Sequence, residues 1–359
     1  MEETQLDPTP DAEQSTHKPS FESRLYRLSP LGFYGTTLAV FVFNFGCFVL
    51  IALNAGRADL LAFSGNGTGF NETGWSGFVL SLVLTVAIAL AENRHRMWIR
   101  HTDALLKALP VGAHSEAKAL IAGTPKSWLL AYRIFFAVGI VFGLVFNVLI
   151  IQANDTNLPQ YLQSIGLWFM IFAPPLYGLG FRAAVDVYRS SRETKALIKT
   201  FLQIDLFHLE KYHIFGRIGL LGAFSWLIMA AVLLLFIVDP AQVWVALLSL
   251  VLSATGGITI LVGAIRPVHD KIRAAKDAEL VRVHNEMSKT RALALDGNSA
   301  SASALAGLTD YETWVEKRPE WPLSASVTTR MTLYFLIPLI PIIASYIFGK
   351  FADTLLSGA

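Results

Sequence analysis

The chain has 359 residues, 53% of them hydrophobic and 16% charged, with a net charge of +2 and a mean hydropathy of +0.49. About a quarter of the residues in an ordinary water-soluble domain are charged, so this composition excludes one. With no dense basic run interleaved with aromatics, it also argues against a nucleic-acid partner.

Residues 1–20 hold Glu2, Glu3, Asp7, Asp11, Glu13, Pro8, Pro10 and Pro19 with almost nothing to bury. That predicts a disordered tail over residues 1–23. No basic stretch precedes an early apolar run, so no cleavable signal peptide is expected. Seven apolar runs then follow, at about Leu31–Leu53, Trp75–Ala91, Ala131–Ile151, Tyr161–Gly180, Ile218–Val238, Val243–Ile265 and Met331–Phe348. Each is long enough, or nearly so, to cross roughly 30 Å of hydrocarbon as a helix. The fold class read from them is an all-α integral membrane protein of about seven spans. The first six form a bundle over residues 24–265.

The charges choose the orientation. Residues 1–30 carry three lysines and arginines, 92–133 seven, 181–217 seven and 266–330 ten. Threaded through seven spans, 27 of the 29 fall on one side, with only Arg57 and Lys350 opposite. The positive-inside rule then gives a cytoplasmic N-terminus and an external C-terminus, in the plasma membrane or a bacterial inner membrane. The eight histidines also fall on the cytoplasmic side.

The external loops are short. Asn66 and Asn71 match the glycosylation pattern, which has meaning only in a secretory-pathway cell. Gly74-Trp75-Ser76-Gly77 matches the nucleophile motif of rhomboid intramembrane proteases. A serine nucleophile needs a histidine within hydrogen-bond reach, and here every histidine is expected a bilayer away. Cys47 is alone, so there is no disulfide framework.

Small and polar residues recur on single helix faces within the spans. Gly139, Gly143 and Asn147 share one face, Ser249, Ser253 and Gly257 another, and Gly216, Gly219 and Gly222 mark the fifth span. Such residues let helices approach closely in lipid. Asn44 and Asn147 are the most polar side chains at mid-membrane depth and each needs a partner there. Pro174-Pro175, followed by Gly178 and Gly180, predicts a bend or break in the fourth span.

On the cytoplasmic side, residues 181–213 read as a helical extension of the fourth span and 267–294 as one of the sixth. Asp296–Gly307 reads as a flexible linker, and Thr309–Trp321 as a short amphipathic segment before the last span. That last stretch, residues 331–359, reads as a kinked seventh helix and an external C-terminus. Tyr334, Pro338, Pro341, Ser345 and Gly349 fall on one narrow face, which Arg330 extends. Two prolines withhold backbone donors, and the carbonyls they leave open need protein or water. The face is therefore either a pore-lining helix or a tight packing interface.

The spans carry no central Asp, Glu, Lys or His, which argues against proton-coupled transport. No phosphate-binding loop and no zinc-protease motif is present, and no catalytic constellation, cofactor or metal is expected. Two functions remain. One is a homo-oligomeric channel-like or receptor-like protein with the last helix at the pore or subunit interface. The layout, with cytoplasmic N-terminus, seven spans and a cytoplasmic anchor, is similar in topology to that of insect chemoreceptor channels. The other is a non-conducting membrane scaffold or accessory subunit that recruits a cytoplasmic protein partner through residues 266–322.

Overall fold

The computed structural model describes residues 21–61, 71–122, 126–238, 243–340 and 343. Among these it is all-helical. Eleven α-helices occur in the order α1 (Phe21–Leu28), α2 (Gly32–Asn54), α3 (Glu72–Lys107), α4 (His114–Ala122), α5 (Lys126–Ala153), α6 (Leu158–Leu162), α7 (Gly166–Phe201), α8 (His213–Leu233), α9 (Val243–Leu295), α10 (Ser299–Glu316) and α11 (Ala325–Leu336). Short polar side chains start several of them. The Asn71 amide oxygen accepts from the backbone of Thr73 and Gly74 to cap α3, and Asn298 caps α10 through Ser301. The described half of the glycosylation signal is thus a helix cap.

Five helices are long and apolar enough to cross a membrane: Gly32–Asn54, Thr73–Lys107, Ser127–Ala153, Leu209–Phe236 and Leu250–Leu295. Their outer walls are bare hydrocarbon. Leu38 and Val42 on α2, Val138, Val141 and Val145 on α5, and Leu248 and Leu252 on α9 are all exposed, as side chains facing lipid would be. The fourth expected span lies in α7, which is not one of the five. Its prolines, glycines, Trp168 and Tyr177 dilute an otherwise apolar run. The seventh begins in α11 and is only partly within the described residues.

The helices pair as hairpins, α5 on α7 and α8 on α9, with α3 packed against α8 and α2 against α3. At one end of the bundle sits a core of ordinary water-soluble character. Leu105, Leu197, Ile198, Tyr212, Phe215, Val268, Ile272 and Val315 are buried together there, drawn from five helices and a turn. We call this the basal end. The opposite end closes with Trp75, whose indole nitrogen donates to the Leu235 carbonyl at 2.8 Å.

Several sequence expectations shift. The N-terminal tail gives way to helix at Phe21, because Glu22 and Ser23 find buried partners. Pro174 and Pro175 do not break α7, which runs on to Phe201. The chain then leaves the helix well short of residue 213. Leu206 and Leu209 turn into the basal core, and the Tyr212 hydroxyl pins the loop by accepting from the Asp205 backbone and donating to the Gln203 carbonyl. The expected linker at Asp296–Gly307 is instead a tight turn. Gly297 takes φ +90° there, a conformation glycine adopts without strain, and α10 starts at Ser299. It folds back on α9, which is one helix of 53 residues, roughly 80 Å long at 1.5 Å per residue.

Candidate functional site

The face expected on the last helix divides in the structure. Arg330 is exposed. Tyr334 turns inward, its ring 4.5 Å from that of Phe224 on α8, beside a buried cluster of Leu220, Ala223, Leu261, Ile265 and Val327. Pro338 is buried. Pro341, Ser345 and Gly349 lie outside the described residues.

The packing residues meet backbone. A Cβ at Gly139 would lie 2.5 Å from the Tyr177 carbonyl oxygen, and one at Gly143 would lie 2.6 Å from Pro174 Cα. No side chain fits between α5 and α7 at these points. Asn147 locks the same seam. Its amide nitrogen donates to the Gly143 carbonyl at 2.8 Å, and its oxygen accepts from the Tyr161 hydroxyl at 2.7 Å. On the α8–α9 seam, Gly219 faces Ala264 and Gly222 faces Ile260, while Gly257 lies over the Ala223 backbone. Gly216 instead receives the Pro322 carbonyl of the segment before α11. Ser253 is buried, and the Ser249 side chain lies outside what is described.

Asn44 differs from Asn147. It is buried, yet neither atom of its amide has a hydrogen-bond partner among the described residues. Its carbonyl accepts from the Trp168 indole at 3.2 Å. A cavity of about 10 Å³ lies nearby, lined by Leu80, Leu84, Trp168, Phe172, Ala173 and Leu176. That holds about one water and is far below the several hundred Å³ of a small-molecule site.

The Gly74–Gly77 motif also resolves into packing. A Cβ at Gly74 would overlap the Leu60 carbonyl oxygen at 1.9 Å, and one at Gly77 would strike the Phe48 ring. Its two glycines are fixed by the neighbours that press on them.

The densest polar constellation was not picked out from the sequence. It ties α1, α3, α5 and α7 at the basal end. The Arg182 guanidinium donates to Glu22 at 2.9 Å, and Ser23 donates to Glu92 at 2.8 Å. Glu92 also pairs with Arg96 at 2.6 Å. Further along α7, Asp186 accepts from the Tyr132 hydroxyl at 2.9 Å and lies 3.6 Å from Arg94. Arg189 reaches Tyr132 at 3.4 Å and Glu193 at 2.6 Å. Burial pushes the Glu193 carboxyl above its ordinary value, against the pull of Arg189. A signal was present: Arg182, Asp186, Arg189 and Glu193 follow one another at spacings of 4, 3 and 4. Those spacings put alternating charges on one helix face. Chemically this is a latch of four carboxylates against four guanidiniums, which fixes how the helices dock.

Two lysines of α9 complete the basal end. Lys271 donates to the carbonyls of Lys199 and Leu202, where α7 stops, and Lys276 donates to that of Glu316, where α10 stops. Helix C-termini carry orphan carbonyls and partial negative charge, so each ammonium is a cap. Lys276 also pairs with Glu320 at 3.1 Å and holds its carboxyl below the ordinary value. His269 stacks on Trp321 beside it.

No family model, curated protein or solved structure matches this chain.

Proposed function

We propose that the protein is a non-conducting membrane scaffold or accessory subunit of seven spans, with its charged basal end in the cytoplasm. The observation that carries this reading is the inward packing of the last helix. A pore helix would keep Tyr334 and Pro338 for water or for a symmetry axis. Here Tyr334 lies against Phe224 of the same chain, and Pro338 is buried.

The partner surface in this reading is the α9–α10 arm within residues 266–322. Val281, Leu293 and Leu295 are exposed along it. At its base Phe207 stands over Trp314, with the Arg318 guanidinium 3.9 Å from the same indole ring. Phe207 is exposed and Trp314 and Arg318 half-buried, and aromatic and arginine side chains are frequent anchors of protein interfaces.

The test combines accessibility with particle mass. Cys47 is replaced by Ala, cysteine is placed at Tyr334, and the protein is reconstituted in nanodiscs. The scaffold reading expects protection from a charged aqueous thiol reagent, a particle of one or two copies, and no conductance in planar bilayers. Rapid labelling in a ring of three or more copies, with single-channel currents, would reverse the conclusion in favour of the channel.

A further inference from the structure

We propose that α1 is an interfacial helix whose outer face binds the headgroup of an anionic phospholipid in the leaflet at the basal end. The proposal rests on the membrane-spanning reading of the bundle. Its evidence is a helix that is inside out by the standards of a water-soluble protein.

Glu22, Ser23 and Tyr26 face the bundle; Glu22 is only 1% exposed and Tyr26 4%. Their partners are Arg182, Glu92 and Thr37. Outward stand Phe21, 70% exposed, and Leu28, 84% exposed. Arg24 and Arg27 are exposed with them. A helix facing water would bury Phe21 and Leu28 and expose Glu22. The inversion is favourable only where the surroundings are apolar at one depth and anionic at the next.

Continuity and charge give the occupant. Apolar exposure continues along the chain from α1 onto the wall of α2, through Leu31, Tyr34, Leu38 and Val42. The same lipid that covers α2 therefore reaches α1 at its headgroup end. Arg24 and Arg27 form no ion pair among the described residues, whereas the arginines behind them, Arg94, Arg96 and Arg182, are each spent on a carboxylate. Two guanidiniums that pair with no carboxylate among the described residues, beside two bare apolar side chains, match a phosphate above an acyl chain.

The test uses the full chain in nanodiscs of phosphatidylcholine, with and without phosphatidylglycerol, and counts retained phosphatidylglycerol by native mass spectrometry. Each arginine near a bilayer surface is worth about a fivefold gain for anionic lipid, so R24Q/R27Q is expected to weaken retention roughly thirtyfold. Unchanged retention in that variant overturns the proposal, since the lipid would then be held elsewhere. Inorganic phosphate added to detergent-solubilised protein is expected to leave its thermal stability unchanged. Stabilisation by phosphate alone would make the ligand soluble and overturn the lipid assignment.

A second measurement does not depend on the arginine variant. A fluorophore on F21C, with Cys47 replaced, is expected to be quenched by lipids brominated near the headgroup. An unquenched probe in a chain that does enter nanodiscs overturns the proposal alone. Failure to enter them at all overturns the membrane reading beneath it.

Discussion

Along one pair of helices, α5 and α7, contact is made in two different ways. In the apolar stretch the helices meet through Gly139, Gly143, Pro174 and Gly178, backbone on backbone. At the basal end the same two helices meet through Tyr132, Asp186 and Arg189, side chain on side chain, with Glu193 holding Arg189 from within α7. The difference follows the solvent. Surrounded by lipid, helices gain nothing from hiding leucine, so close approach and dispersion carry association. Where water and headgroups begin, apolar burial regains its value. In the proposed membrane placement this is the depth of the basal core of Leu105, Ile198, Phe215 and Ile272, and the charge latch sets which helix docks where.

The largest effect is expected from breaking the apolar seam. Gly143→Leu puts a side chain where even a Cβ has 2.6 Å to the neighbouring backbone. A helix backbone yields less readily than a side chain, so the cost is roughly 3 kcal/mol or more. Thermal unfolding in detergent should show it as a large drop in midpoint. Gly180→Ala on the neighbouring helix is the control, because nothing lies within 4 Å of its Cβ position. If both variants behave alike, helix propensity rather than close approach explains the glycines.

The charge latch should break differently. Arg182→Leu leaves Glu22, 1% exposed, without its guanidinium. An uncompensated buried charge costs about 3 kcal/mol, whereas replacing both members of a buried pair is often near neutral. The double variant with Glu22→Leu should therefore recover most of what Arg182→Leu loses. A double-mutant cycle on unfolding midpoints measures the coupling. Additive losses would mean that the two residues act independently, and that α1 is held by Ser23 and Tyr26 instead.

The two modes of contact were unequally legible in the sequence. Apolar runs and glycine spacing expose a helix–helix seam directly, because the pattern needed is local: Gly139, Gly143 and Asn147 sit one turn apart, and the structure seats all three against α6 and α7. The apolar runs likewise needed only local hydropathy, and five of the seven lie in helices long and apolar enough to cross a membrane. The basal end is built from contacts distant in sequence. Glu22 meets Arg182 across 160 residues, and nothing near Glu22 announces it. The spacing of Arg182, Asp186, Arg189 and Glu193 puts alternating charges on one face, but the partner helices that bury it are invisible to spacing. Asp296–Gly307 misled for a related reason. Its alanines and serines suit a linker or a helix equally, and packing against α9 decides.

The smallest expected effect concerns the α9–α10 arm. Lys276 holds three acceptors at once: the Glu316 carbonyl, the Arg318 carbonyl and the Glu320 carboxylate. Lys276→Met removes the cap on α10 and should cost about 1 kcal/mol, seen as faster amide exchange over residues 312–323. The Glu320 part has a pH signature. Its carboxyl is held below the ordinary 4.5 by Lys276. A lowered folded value means that the pair stabilises fully above 4.5 and that this contribution is lost as pH falls through the folded value. The stability gap between wild type and Lys276→Met should thus stay constant from pH 7 to about 5 and narrow below 4.5. It should not close, because the two carbonyl bonds do not titrate. A gap independent of pH down to 3 would assign the whole effect to the helix cap and none to Glu320.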